Sequence, residues 1–288
     1  MIATTRTALR RALFLLGVLL LFLPETASAQ TARSIVTESL RSMQRIQTLS
    51  GRIKRMERLA DGLEPGELKF KLMLDPHKIY IYNYVPEEGA EVLWVNGWNK
   101  NKALIHPNKF PWVNVSFGLD ADVLLRGHHP MTDLGFGYTH RVIERLMRER
   151  SDDFEEHVKY EGTRTWYGQT VHVVVVNYEE YSFDNYTVVG NEDLFDIDRK
   201  LNVPAWKVVE LNDKVDDFYD IKAGQNLKVP NIYAKKVIFF FDDKYKLPVV
   251  QIVYDDQGLF SKYEYLDLRV NPRFRSDEFL SDYSEYGF

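Results

Sequence analysis

The sequence predicts an α+β protein: one antiparallel meander sheet with helices packed on it, interrupted once by a small strand-helix-helix-strand unit. Three observations predict this. Over residues 51–106 apolar and polar residues alternate with a period of two, and the runs are joined by short turns such as Pro86-Glu87-Glu88-Gly89, as in successive antiparallel strands. Residues 32–49 space their apolar side chains three to five apart instead, and those of 130–150 are placed to bury one side, as in helices with one buried face. Residues 182–230 interrupt the later strands with a piece whose periodicity belongs to neither flank.

The first element is a leader. Arg6, Arg10 and Arg11 precede an apolar run from Leu13 to Leu23, too short to span a bilayer comfortably, and Pro24 and Ala27-Ser28-Ala29 follow. That is the pattern of a cleaved secretory signal over residues 1–29. The expected protein is therefore exported, periplasmic or secreted, with Gln30 as its mature N-terminus. No cysteine occurs among the 288 residues, so there is neither a disulfide nor the lipid-carrying cysteine of a bacterial lipoprotein. Removing three Arg and one Glu with the leader moves the net charge from −5 to −7. An acidic chain of this kind does not suit nucleic acid, and no second apolar run has membrane-spanning length.

In the mature chain, Ile35, Leu40, Met43, Ile46 and Leu49 share one helical face. The strand GELKFKLML then sets Leu68, Phe70, Leu72 and Leu74 opposite Lys69 and Lys71, and HKIYIYNY sets Ile79 and Ile81 opposite Tyr80, Tyr82 and Tyr84. Large side chains on both faces predict a sheet covered on both sides or lining a concave surface. A helix is expected over 130–150, burying Leu134, Phe136, Val142, Ile143 and Leu146. Further strands follow at EEHVKYEG, RTWYGQ and TVHVVVVNYEEY, and after the interruption at NIYAKKVIFFFDD, KLPVVQIVYDD and LFSKYEYLDLRV. The tail from Asn271 is polar with spaced aromatics, expected to dock on the sheet.

The interruption resembles a LysM domain, the small module that binds N-acetylglucosamine glycans such as peptidoglycan and chitin. The matching residues are Tyr186-Thr187-Val188, Leu194-Phe195-x-Ile197, Val209-Glu210-Leu211-Asn212 and the closing Ile221-x-x-Gly224-Gln225-x-Leu227-x-Val229-Pro230. Gly224 suits the turn before the last strand, and Pro230 ends the pairing. The resemblance implies a βααβ module over 182–230. It also implies a shallow glycan groove between two loops, Asn191-Glu192-Asp193-Leu194 and Asp220-Ile221-Lys222. Backbone groups would hold the acetamido groups there, and Leu194 and Ile221 would pack on sugar methyls. Asn191-Glu192-Asp193 replaces the usual Gly-Asp-Thr, and there is one copy where repeats usually supply avidity.

The flanking segments resemble a family of bacterial envelope proteins known only as a domain of unknown function, related to the LolA-like lipoprotein carriers. The stretches that carry this are GRIKRMERLADG through HKIYIYNY, EVLWVNGWNKNKALIHP, HPMTDLGFGYTHRVIERL, TWYGQTVHVVVV and YEYLDLRVNPRFRSDEF. The resemblance implies a curved, unclosed antiparallel β-barrel wrapped on helices over 30–181 and 231–288. Its apolar interior would shelter acyl chains at about 0.8 kcal/mol per methylene.

No catalytic constellation assembles in the sequence. A cysteine nucleophile is excluded, and there is no nucleophile elbow or phosphate-binding glycine loop. Glu38 on the first helix reads as a solvated residue. His129-Pro-Met-Thr-Asp133 fits half of a LytM-type zinc site, but no His-x-His completes it. His128 and His129, beside a proline, read as turn and surface residues. The expectation is a non-catalytic envelope protein with no cofactor and no metal, whose partners are peptidoglycan and a lipid or lipoprotein. The alternatives are a peptidoglycan-remodelling enzyme whose site is not recognised, or a structural envelope protein.

Overall fold

The computed structural model describes residues 31–110 and 112–288; the leader reading falls outside them. The chain opens with α1 (Ala32–Gln44), whose Ile35, Val36 and Met43 are buried. Ile46 and Leu49, expected on the same face, lie beyond its end, Leu49 already in the first strand.

Six strands follow: β1 (Thr48–Leu59), β2 (Gly62–Met73), β3 (Lys78–Val85), β4 (Glu91–Val95), β5 (Ala103–His106) and β6 (Val115–Phe117). Two helices then cross, α2 (Gly137–Glu149) and the single turn α3 (Phe154–His157). The strands resume as β7 (Val158–Trp166), β8 (Gln169–Asn177), β11 (Lys236–Asp242), β12 (Pro248–Asp255) and β13 (Gly258–Val270). Between β8 and β11 come β9 (Phe183–Thr187), α4 (Leu194–Leu201), α5 (Ala205–Glu210) and β10 (Asn226–Pro230).

Eleven strands form one antiparallel sheet in the order β6-β5-β4-β3-β2-β1-β13-β12-β11-β8-β7. Its outer strands, β6 and β7, do not pair with each other, so the sheet is an unclosed barrel. The seam that joins the two halves is β1 on β13, running from Leu49 opposite Val270 to Glu57 opposite Ser261. Residues of α1 and α2 and the inward side chains of strands from both halves make a single core, among them Phe70, Leu72, Ile79, Trp94, Ile143 and Phe239. A sheet whose two halves share one core with the helices curves around them.

The opposite face explains the doubly apolar strands. Tyr80 and Leu93 point away from the helices and pack with Phe279 beneath the C-terminal tail. The Tyr286 ring stacks on Tyr80 at 3.7 Å, and Lys71 reaches Glu278 at 2.6 Å. β3 and β4 are thus apolar inward toward the core and outward toward the tail.

Two expectations are corrected. The helix expected over 130–150 begins at Gly137, because Gly135 sits at φ +99° and turns the chain first; a Cβ there would come 2.8 Å from Leu72 Cδ2. The strand expected at EEHVKYEG starts only at Val158, after the turn of α3, where Phe154 buries its ring in the core.

β9 and β10 form a separate two-stranded sheet, with Leu227 opposite Tyr186. Val188, Leu194, Ile197, Val208, Phe218 and Leu227 make a core of their own. The two ends of this βααβ piece meet: Asn231 N donates to Ser182 O at 3.0 Å, and Ser182 N donates to Asn231 Oδ1 at 2.8 Å. Ala32–Phe288 is nonetheless one compact unit.

Candidate functional site

The concave side of the sheet holds a cavity of about 310 Å³. Its apolar floor comes from alternate residues of four successive strands: Ile53 on β1, Leu68 on β2, Ile81 on β3 and Val92 on β4. Strand alternation puts them on one face. The segment between β6 and α2 covers it with Val123, Leu124, Met131 and Leu134, and β13 adds Tyr263 and Tyr265. A second pocket of about 230 Å³ lies beyond Gly135 and Phe136, lined by Met43, Ile46, Leu49, Leu72 and His140.

One wall of the larger cavity is charged. Glu57 is almost wholly buried, yet it accepts hydrogen bonds from the Tyr263 hydroxyl and from His128 N, and pairs with Arg55 at 2.7 Å. Burial pushes the Glu57 carboxyl up, but Arg55 and the other donors outweigh it and hold it below the usual range. Burial, with His128 beside it, brings His129 down to about 3, so this ring is neutral near pH 7. Burial raises Asp133, with Arg141 and Arg199 opposing. At the rim, Glu87 pairs with Arg126 and, at 2.7 Å, with Lys109.

His128 and His129 are not surface residues. His128 is buried between Trp206 of α5 and Phe260 of β13, 4.2 Å from the Phe260 ring, and its Nε2–H donates to Arg58 O at 2.8 Å. His129 and Asp133 both line the cavity. Among the described residues, no group of three His, Cys, Asp or Glu is placed to hold a metal ion.

In the βααβ piece, Leu194 N donates to Phe218 O at 2.9 Å, which sets the two expected groove loops side by side. Asn191, Asp220 and Lys222 are exposed and Ile221 is half-buried. Leu194 does not face a groove; it is fully buried in the module core, where its apolar side chain leaves water. Asp193 caps α4, its carboxylate accepting from Asp196 N at 2.8 Å. The Glu192 carboxylate is taken up locally by the Tyr186 hydroxyl, Val189 N and Lys200 Nζ, at 2.7, 3.0 and 2.9 Å. Lys200 and then Tyr186 pull Glu192 down to about 2. Sequence reasoning missed Tyr219, an exposed ring beside Asp220 and edge-on to Phe195; an aromatic adjoining the expected loop was its only signal.

Two polar joints fix this piece to the rest of the protein, one to the sheet and one to α2. Lys207 of α5 pairs with Asp255 and Asp256, and Arg58 of β1 bridges Glu210 and Asp255. Asp198 of α4 accepts from the Tyr138 hydroxyl at 3.0 Å and from Arg141 at 2.9 Å.

No curated protein matches the chain. Among solved structures, it is similar to MucB (9% identity, 86% of this chain and 62% of that one, TM-score 0.41), so it spans less than two thirds of that protein. It is also similar to the Mycobacterium tuberculosis lipoprotein LppX (11%, 84% and 97%, 0.39) and to a LolA superfamily protein from Nitrosomonas europaea (11%, 88% and 100%, 0.32). The model of the family described as "Protein of unknown function (DUF1571)" matches residues 46–206, more than half of the chain, and the chain belongs to that family.

Proposed function

We propose that this is an exported, non-catalytic envelope protein whose half-barrel holds an amphiphile. The cavity carries the reading. It has an apolar floor, a charged wall and a volume equal to about ten waters, at the lower end of small-molecule sites. That size suits a single acyl chain or a small lipid rather than a many-chained one. Each methylene moved from water onto Ile53, Leu68, Ile81 and Val92 contributes about 0.8 kcal/mol, while the charged wall receives a polar head. The test is solvent extraction of the purified protein followed by mass spectrometry, with displacement of a fluorescent fatty acid as the second measurement. An empty protein that displaces no probe overturns the reading.

A second reading concerns the βααβ piece, which we take as a LysM module that docks on peptidoglycan. The observation favouring it is the pair of adjoining loops, which leaves Asn191, Asp220, Ile221 and Lys222 accessible beside the Tyr219 ring. An exposed aromatic offers a flat face to a sugar ring. Co-sedimentation with purified peptidoglycan tests it, and an unbound protein counts against it. Release of soluble muropeptides in the same tubes would show an enzyme and overturn the non-catalytic reading.

A further inference from the structure

The outer edge of the sheet, at β5 and β6, carries side chains that neither the core nor the cavity uses. Phe110 is 84% exposed, Trp112 65% and Val113 55%, and Trp98 and Phe117 are exposed nearby. The pairing of Ala103 with Phe117 and Ile105 with Val115 sets the connection between β5 and β6 as the tip of a hairpin. Asn99 Nδ2 donates to Ser116 Oγ at 2.9 Å, which ties the Trp98 turn to the same edge. Trp112 keeps its exposed indole on a backbone at φ 57°, a conformation that is costly for a bulky residue and is retained mostly where it serves a purpose.

The charge of this edge is opposite to that of the chain. Residues 92–119 contain Lys100, Lys102, Lys109 and His106 but no Asp or Glu, in a protein of net charge −5. All three lysines are exposed.

We propose that this edge docks on the surface of a bilayer containing anionic lipid. Trp and Phe side chains favour the boundary between headgroups and acyl chains, and lysines beside them meet the phosphates. A second copy of this chain fits less well, because β6 has only three residues to offer and cationic edges repel one another. The basic, aromatic edge occupies one end of an otherwise acidic chain, so docking is oriented. Lys109 pairs with Glu87 at 2.7 Å and Asn108 Nδ2 donates to Glu88 O at 3.2 Å, so the docked hairpin adjoins the cavity rim. Docking stands independently of amphiphile binding in the cavity.

The test is flotation of the full mature protein with vesicles of phosphatidylglycerol and phosphatidylethanolamine, against vesicles of phosphatidylcholine. The wild type is expected to float with the anionic vesicles, less so as salt rises. Phe110→Ser with Trp112→Ser should abolish flotation, with an unchanged circular dichroism spectrum and melting temperature. Each of Lys100→Gln and Lys102→Gln should weaken binding about fivefold, and Lys109→Gln less, because Lys109 is already paired with Glu87. Leu68→Trp, which fills the cavity, should float like the wild type. A wild type that stays unbound overturns the proposal, as does a double variant that floats normally. Flotation lost in Leu68→Trp but kept in the double variant assigns the membrane contact to the cavity instead. A dimer in light scattering that the double variant dissociates, without vesicle binding, makes the edge a self-association surface.

Discussion

Lys207 Nζ lies 2.6 Å from Asp255 Oδ2, with the lysine side chain 1% exposed. The ammonium also reaches Asp256 at 2.9 Å and Glu210 at 3.4 Å. Burial alone would lower the lysine, but the bonds to Asp255 and Asp256 outweigh it and hold Lys207 raised and charged. A buried charge is tolerated only when it is paired and hydrogen-bonded. The joint therefore couples the stability of the βααβ piece to that of the sheet.

Lys207→Met should destabilise the whole protein by about 2–3 kcal/mol, because it leaves Asp255, Asp256 and Glu210 around the single guanidinium of Arg58. Urea unfolding should stay a single transition with an earlier midpoint. Two separated transitions would show that the βααβ piece unfolds by itself once the joint is cut.

Asp198 should make stability fall as pH rises through its titration. Burial lifts its carboxyl to about 6, with Arg141 and Tyr138 only partly offsetting it. The folded state then keeps a proton that the unfolded chain has released, so the slope of stability with pH is negative between about pH 4 and 6. Asp198→Asn removes that contribution. The stability of the wild type relative to Asp198→Asn should therefore drop by roughly 2–3 kcal/mol from pH 4 to pH 7. A difference that does not change with pH would contradict this account.

Leu68→Trp should abolish recovery of co-purified amphiphile, because the indole occupies the cavity between Ile53 and Ile81. The cavity is open space rather than packed core, so the melting temperature should change little. Mass spectrometry of extracts from both proteins measures the outcome.

Ile221→Ser and Tyr219→Ala should each weaken co-sedimentation with peptidoglycan several-fold. Glu192→Gln should not, because that carboxylate already serves Tyr186, Val189 and Lys200 within the module. Equal losses in all three would place the glycan contact at Glu192 as well.

The strands were legible because period-two alternation is local: Phe70 and Leu72 announce β2 without any tertiary context. So was the strand-helix-helix-strand order, carried by residues such as Leu194, Ile197 and Leu227. The seam of β1 on β13 was not, since Leu49 meets Val270 across most of the chain and no short-range pattern records that partner. Leu194 was misassigned for a related reason. One residue cannot be told apart as groove wall or core until the facing strand, with Leu227, is placed. The charged wall gathers Arg55, Glu87 and the pair Arg126 and His129 from three separate segments, so composition along any one of them is silent. Phe110 and Trp112 were plain in the sequence, but only their exposure separates a docking tip from core aromatics.

The clasp between Ser182 and Asn231 bears on how the chain finds its fold. For β8 to pair with β11, the run from Tyr178 to Lys235 has to be closed. If β9 and β10 zip first, only two short legs, residues 178–182 and 231–235, still need ordering. Loop-closure entropy grows with the logarithm of length, and this early zipping lowers it by about 1.5 kcal/mol. In that order the guest piece serves as a splint, bringing two distant parts of its host within reach before the sheet is complete.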